Sequence, residues 1–265
     1  MRGSDLYDAA DYYDWTSLGL DGDVAYYVNL ARIKRGPVLE LGCGTGRISL
    51  QIAKQGIEVV GVDRSHAMLA RARKKAEEME LSGRVQWIEA DITRFQLESS
   101  QQFPLIIIPY RTFLHLLKVE EQIATLKRVY DYLRPNGLFA MDLFVPDLVT
   151  MVEKDGRFDF RGSFPIPGTE HRVDVVDYVQ YEHFYQQAYV TRYYERYDSK
   201  GVMVERLQKK FQFRYIYPTE LIHLLQLSGF QVLHRYGSFR RTPFNQSSKE
   251  LIIEARKRRC DENSL

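Results

Sequence analysis

Three glycines and one aspartate are the residues of this chain best placed to do chemistry. The glycines stand at 42, 44 and 46 in the run Val38-Leu39-Glu40-Leu41-Gly42-Cys43-Gly44-Thr45-Gly46. Asp63 closes the next apolar run, Ile57-Glu58-Val59-Val60-Gly61-Val62-Asp63. Glycine lets a backbone turn sharply without a Cβ clash and lets a ligand lie directly on it. A helical pattern starts at Thr45 or Gly46, and the free N–H groups of such a start face an anionic group. Asp63 sits where the second strand of a strand–helix–strand unit sets an acid against ribose hydroxyls. These positions describe a site for a nucleotide-type cofactor.

The turn also discriminates between cofactors. A dinucleotide fingerprint needs a third glycine five residues after the first, to pack helix on strand. That position is Arg47. Glu40 adds a carboxylate at the edge of the turn, which repels a pyrophosphate and pairs with an ammonium. S-adenosylmethionine carries an α-ammonium, an α-carboxylate and a sulfonium, and no phosphate, so the electrostatics favour it over a dinucleotide.

The elements that must position these residues alternate strictly from residue 37 on. The spacing predicts strands at 37–42, 57–63, 84–90, 103–109 and 138–145. Helices are predicted at 45–55, at 65–80 with Ser65 as N-cap, and at 119–133 with Ile123, Leu126, Val129 and Leu133 inward. The turn Pro135-Asn136-Gly137 ends the last of these. Such alternation implies parallel pairing with helices on both faces. After Pro146 the period becomes two. Residues 171–216 read as an antiparallel meander set into the parallel core. The core resumes with helix 219–228, then strands at 230–236 and 249–255 that fit an antiparallel edge hairpin. Ahead of the core, amphipathic helices are expected from Ser4 and over Val24–Arg32.

At this point the chain resembles the class I S-adenosylmethionine-dependent methyltransferases. The resemblance rests on residues 38–46, on Asp63, on Glu89-Ala90-Asp91-Ile92 and on Leu133-Arg134-Pro135-Asn136-Gly137, and it spans roughly 37–146. It implies an α/β, Rossmann-like doubly wound sheet of seven strands, mostly parallel with the last antiparallel. It further implies that Gly42, Gly44 and Gly46 border the methionine portion, with Glu40 at its edge. Asp63 would bind the ribose hydroxyls, with Arg64 beside it. Asp91 would accept from the adenine amino group beside the Ile92 backbone, and Met68 would pack on the adenine face or serve the core. In layout the chain is similar to nucleotide-sugar N,N-dimethyltransferases and glycine N-methyltransferase.

The segment after the fourth strand faces the sulfonium in such enzymes, and Pro109 is expected at the cofactor. Here it reads Ile107-Ile108-Pro109-Tyr110-Arg111-Thr112-Phe113-Leu114-His115. Nucleic-acid and protein-amide N-methyltransferases carry Asn/Asp-Pro-Pro-Tyr there. Apolar Ile108 cannot accept a hydrogen bond, which disfavours that class. An ammonium or hydroxyl acceptor must lose a proton, so a general base is sought. His115 is the base candidate, with a structural histidine as the bland alternative. Arg111 would hold an acidic substrate or make a surface salt bridge. Nine of the 18 tyrosines fall within 171–217 and five more in the first 27 residues. Among these, Tyr12, Tyr13 and Trp15 are the candidates to close over the cofactor, Tyr12 as a cofactor contact and Tyr13 as a catalytic residue.

The organisation expected is therefore an N-terminal helical lid at 1–36 and a cofactor-binding core at 37–146 and 217–256. An inserted β-meander at 147–216 would serve as substrate cover or homodimer contact, and 257–265 would be a tail. Hydrophobic content of 45 % and charged content of 27 % are ordinary for a globular protein. A net charge of +2 argues against a nucleic-acid partner, and the basic run Arg256–Arg259 reads as a solvated tail. Two cysteines, Cys43 and Cys260, do not suggest a disulfide and fit a reducing cytoplasm. No segment has the length of a membrane span, and no acidic or histidine cluster has metal-site spacing. The expected activity is metal-independent, in-line methyl transfer to N or O of a small molecule. The alternatives are methylation of RNA or protein, and a non-catalytic S-adenosylmethionine-binding protein.

Overall fold

The computed structural model describes residues 6–98 and 100–258; Cys260 and the end of the basic tail lie outside them. Contacts divide the chain into two compact units. One joins the chain up to Leu18 with Pro146–Tyr215, and the other joins Gly19–Val145 with the chain from Ile216 on.

The larger unit is built on a seven-stranded sheet. Its strands are β1 (Val38–Leu41), β2 (Val59–Asp63), β3 (Val85–Glu89), β4 (Phe103–Ile108), β5 (Leu133–Phe144), β10 (Phe230–Tyr236) and β11 (Glu250–Lys257). They lie in the order β10-β11-β5-β4-β1-β2-β3. All pairs from β5 to β3 are parallel, and β11 runs antiparallel to both neighbours, β5 and β10. Every residue of β1 and β4 is buried, as expected for central strands covered by helices on both faces. The chain reverses its direction of travel across the sheet between β1 and β4, so the carboxyl ends of these strands open the crevice where α/β sheets bind ligands.

Helices α2 (Asp23–Lys34), α3 (Ser49–Ala53), α4 (His66–Glu78), α5 (Val119–Tyr132) and α7 (Pro218–Leu227) clothe this sheet. Ser65 caps α4, its hydroxyl accepting from the Met68 N–H at 3.3 Å. Two expectations need correction. Helix α3 is far shorter than 45–55, because Gly46 at φ +81° cannot be helical and regular helix begins only at Ser49. The N–H groups of such a short element are no anion site. On α5 the buried positions are Gln122, Thr125, Leu126, Val129 and Tyr132, while Ile123 points to solvent. Helix α2 packs on α3 and β4. It therefore belongs with the sheet, whereas α1 (Ala10–Thr16) belongs with the other unit.

That other unit is a four-stranded antiparallel sheet, β6 (Arg157–Pro165), β7 (Arg172–Glu182), β8 (Gln187–Tyr197) and β9 (Met203–Arg214), in sequential order, preceded by α6 (Leu148–Lys154). The meander read from 171 thus has a fourth strand, β6. Its aromatics Phe158 and Phe160 are 65 % and 62 % exposed, the reverse of the usual apolar-in pattern. Val173, Val175, Val190 and Tyr194 form its inner face with Leu6 and Ile166.

Candidate cofactor and active site

The glycine turn joins β1 to α3 with Gly42, Gly44 and Gly46 at φ +73°, +55° and +81°. All three need glycine for conformation, but each has different surroundings. A Cβ on Gly42 would stand 2.2 Å from Thr112 Cγ2, and one on Gly46 would stand 2.8 Å from the Trp87 ring. These two glycines make room for the protein's own side chains. A Cβ on Gly44 would meet nothing within 4 Å. Gly44 is thus the position where a ligand can lie against bare backbone.

Asp63 is tied directly to that residue. Its Oδ2 accepts the Gly44 N–H at 2.8 Å and its Oδ1 the Ser65 N–H at 2.9 Å. Burial pushes its carboxyl up, and these N–H donors and Arg64 only partly offset that. Arg64 itself is exposed. Asp91 stands just past β3. The Thr93 N–H and hydroxyl both donate to its Oδ1, at 2.9 and 2.8 Å. Burial raises its carboxyl, but the Thr93 donors with Arg94 and Arg64 outweigh this and hold it low, in the charged form. Ile92 is half-buried beside it, and Met68 is completely buried on α4.

Glu40 is 2 % exposed and accepts a hydrogen bond from the Ser49 hydroxyl. Burial drives its carboxyl up to about 7, against the opposing pull of Ser49 and Arg47. Burial, with the charges of Asp63 and Glu40, also pushes the Cys43 thiol up, so this buried free cysteine is inert. Lys75 Nζ fastens the turn from outside, donating to the Thr45 carbonyl at 3.3 Å and its hydroxyl at 3.0 Å.

Arg47, at the position that would be the third dinucleotide glycine, is an anchor. It makes a bidentate ion pair with buried Asp23 of α2, at 3.0 and 2.6 Å, and lies over the Tyr110 ring at 5.0 Å. One guanidinium therefore links α2, the glycine turn and the segment after β4. That segment is held from the other side as well. Pro109 is buried, and Tyr110 and Arg111 both take left-handed backbone at φ +55° and +61°. Buried Asp142, near the end of β5, accepts the Tyr110 N–H at 2.9 Å and the Arg111 N–H at 3.1 Å. It also accepts the Tyr27 hydroxyl at 2.6 Å. Burial raises the Asp142 carboxyl to about 6, while these donors oppose it. Two consecutive non-glycine residues with φ > 0 store roughly 1–3 kcal/mol each, and the carboxylate holds them in place.

Of the residues singled out by sequence, Gly42, Gly44 and Gly46 lie on the glycine turn, Glu40 near the end of β1, Met68 on the first turn of α4, and Asp63, Arg64, Asp91, Ile92 and Pro109 at or just beyond the carboxyl ends of β2, β3 and β4. Arg111 is held by an ion pair within its own unit. It pairs with Glu250 of β11, and its guanidinium lies 5.5 Å from the Phe144 ring. His115 ends the short 3-10 turn Thr112–His115 and is half-buried. Tyr12, Tyr13 and Trp15 lie in the other unit. There Tyr12 donates to Glu205 at 2.7 Å and packs against Trp15 and Tyr194, and Tyr13 lies near Tyr7. Asp23 and Asp142 escaped the sequence reading. Asp142 did leave a signal, as the one charge in the apolar run 138–145.

The donor set fits an adenosyl amino acid: bare backbone at Gly44, and acids at the ends of two adjacent strands, with Ile92 next to the second. Among the described residues no group of three His, Cys, Asp or Glu could hold a metal ion, and no helix is long and apolar enough to cross a membrane.

Comparison with known proteins agrees with this geometry. Residues 38–137 match the family model described as a methyltransferase domain. Glycine/sarcosine N-methyltransferase of Aphanothece halophytica is 26 % identical over 83 % of this chain and 76 % of its own length. The chain spans about half the length of several other curated methyltransferases it matches, 41 %, 57 % and 59 % of three of them. In fold, the CcbJ methyltransferase of Streptomyces caelestis is similar at a TM-score of 0.74 and 24 % identity, covering 91 % of this chain and 97 % of that one. The sugar N-methyltransferase KedS8 of Streptoalloteichus is similar at 0.72 and 15 % identity, covering 97 % and 94 %.

Proposed function

We propose that the chain is a class I S-adenosylmethionine-dependent methyltransferase and that it methylates an amino nitrogen of a small molecule. The observation that carries the reading is the bare Gly44 backbone beside Asp63. The N-methyltransferase names borne by the glycine/sarcosine relative and by KedS8 support nitrogen over oxygen as the acceptor.

When bound, S-adenosylmethionine supplies an activated methyl group on a sulfonium. The residues around it bind, align and move a proton. Asp63 is assigned the ribose hydroxyls, Asp91 the adenine amino group, Ile92 and Met68 the flank of the ring, and Gly44 the methionine portion, with Glu40 beneath it. Pro109 and Tyr110, fixed by Arg47 and Asp142, align the acceptor nitrogen for in-line attack. Such alignment can supply up to about 7–11 kcal/mol of the barrier. The nitrogen lone pair forms the new N–C bond as the S–C bond breaks, and the nitrogen sheds one proton. His115 is the base assigned to that proton, and Arg111 keeps a supporting role through Glu250.

The test pairs binding with turnover. S-adenosylhomocysteine should bind at one site and raise the melting temperature, whereas NAD should do neither. Transfer of radiolabelled methyl from S-adenosylmethionine should then appear on a primary or secondary amine in a panel of amines, alcohols, RNA and protein. Label on alcohols, RNA or protein alone would overturn the acceptor class. No turnover on any acceptor, with binding intact, would favour a non-catalytic binding protein.

A further inference from the structure

Three acids share the face of the large sheet that α2 covers: Asp142 on β5, and Glu250 and Glu254 on β11. The register sets Glu250 opposite Phe144, Ile252 opposite Asp142 and Glu254 opposite Ala140, and side chains directly opposite one another share a face. Ala140 and Ile252 pack with Tyr26 and Tyr27 of α2 in one core cluster. The two glutamates are matched by guanidinium groups. Glu250 pairs with Arg111, and Glu254 pairs with Arg241 at 3.2 Å while accepting the Tyr26 hydroxyl at 2.9 Å. Asp142 is held differently. Its hydrogen bonds come from neutral donors, the Tyr27 hydroxyl and the N–H groups of Tyr110 and Arg111.

These donors divide unevenly over the carboxylate. Oδ1 takes both the Tyr27 hydroxyl and the Tyr110 N–H, and Oδ2 takes the Arg111 N–H. A carboxylate oxygen has about two acceptor positions, so Oδ1 is full. A proton arriving at Asp142 must therefore settle on Oδ2. The hydroxyl oxygen of a neutral carboxyl is a far weaker acceptor for the Arg111 N–H than a carboxylate oxygen. Tyr110 and Arg111 stand at φ +55° and +61°, and such backbone persists only where its surroundings hold it.

The groups facing Asp142 act in both directions. Burial and the Glu250 charge favour the proton, whereas the Tyr27 hydroxyl, the Tyr110 N–H and the Arg111 guanidinium oppose it. Tyr110 and Arg111 belong to the segment being held, and the Arg111 side chain is shared with Glu250. Tyr27 alone among these opposing groups is free of both ties. It is completely buried, and burial with the charge of Asp142 pushes its own hydroxyl well up, so it stays a donor.

We propose that Tyr27 is a positioning residue for methyl transfer: by filling Asp142 Oδ1 it keeps the carboxylate able to hold the Tyr110–Arg111 segment in place for the acceptor. Tyr27 lies on α2, ahead of residues 38–137 that match the methyltransferase domain. Its role in catalysis rests on the methyl-transfer reading, whereas its hold on the segment can be measured with no acceptor present.

NMR signals of the Tyr110 and Arg111 backbone amides, followed in the full chain from acid to alkaline pH, measure that hold. In wild type both should shift with a midpoint of about 6, the Arg111 amide more than the Tyr110 amide. Tyr27→Phe should raise the midpoint by about one to two pH units, the size of one hydrogen bond to a charged group. Asp142→Asn should abolish the step. On an amine that wild type methylates, the acid limb of kcat should move up in Tyr27→Phe by the same amount and kcat should recover at alkaline pH, a response that lost packing would not give. A midpoint unmoved by Tyr27→Phe, or a step that survives Asp142→Asn, would overturn the proposal. Absence of turnover in wild type would sink the acceptor reading instead, with the amide midpoints still deciding whether Tyr27 governs Asp142. Should Asp142→Asn fail to fold, Tyr27→Phe decides by its midpoint.

Discussion

The glycine turn of the large unit and the charged row of the insertion solve the same problem, buried polar groups, with different donors. Around the turn every buried acid has donors: Glu40 has Ser49, Asp63 has Gly44 and Ser65, Asp23 has Arg47, and Asp142 has Tyr27 and two backbone N–H groups. The frame is complete without a ligand, and the ligand is left a bare patch at Gly44. In the insertion the acids are satisfied by charged side chains, Asp159 by Lys154 and Arg161 and Asp177 by Arg192. Around the turn most of the donors are backbone N–H groups and hydroxyls, whereas the row of the insertion is closed by ion pairs.

The contrast breaks most visibly at the insertion's own ion pair. Asp177→Ala strands half-buried Arg192 and should cost about 3 kcal/mol in urea unfolding; a loss below about 1 would show that water serves Arg192 well enough. In the turn, Gly42→Ala adds left-handed strain to a clash with Thr112 and should cost about 2–4 kcal/mol. Gly44→Ala carries the strain alone, about 1–2 kcal/mol, but should weaken S-adenosylhomocysteine binding. Equal stability costs at 42 and 44 would remove the distinction drawn between them.

Glu40 sharpens the comparison through pH. Its folded pKa of about 7 lies above the ordinary 4.5. Between those values the native state holds the extra proton, so Glu40's contribution to stability falls as pH rises through that window. Glu40→Gln should therefore be more stable than wild type by about 2–3 kcal/mol at pH 8, with the gap closing by pH 4. A constant gap at all pH would mean that Glu40 does not titrate there. Its affinity for S-adenosylmethionine should fall at the same time, the usual trade at a functional site. Asp63→Ala should weaken S-adenosylhomocysteine more than tenfold, about 1.4 kcal/mol or more, with unchanged affinity removing it from the site. The smallest effect belongs to the outer face of the insertion. Phe158→Ser should change stability by less than about 0.5 kcal/mol, and a larger loss would show that this exposed ring is covered in solution.

Much of the core was legible because its rules are local. Glycines with φ > 0, a capping serine at 65 and acids at strand ends are fixed by backbone geometry within a few residues. The extent of α3 differs from its spacing because Gly46 takes a left-handed φ of +81°, a conformation that glycine permits but does not announce. Ile123 was misplaced because helical spacing gives a face but not which neighbour covers it. Strand β6 was missed because its aromatics face outward and its Asp159 inward.

By itself the sequence determined the strand–helix alternation, the turn, the acids at its rim and the donor cofactor, since each follows from residue type and short-range spacing. Only the tertiary structure decided that Arg47 is an anchor, that Arg111 is held by Glu250, that Asp142 fixes two strained residues, and that Arg192 of one strand closes on Asp177 of the next. Those facts depend on which residues meet across strands far apart in the chain, and burial then sets the worth of each charge.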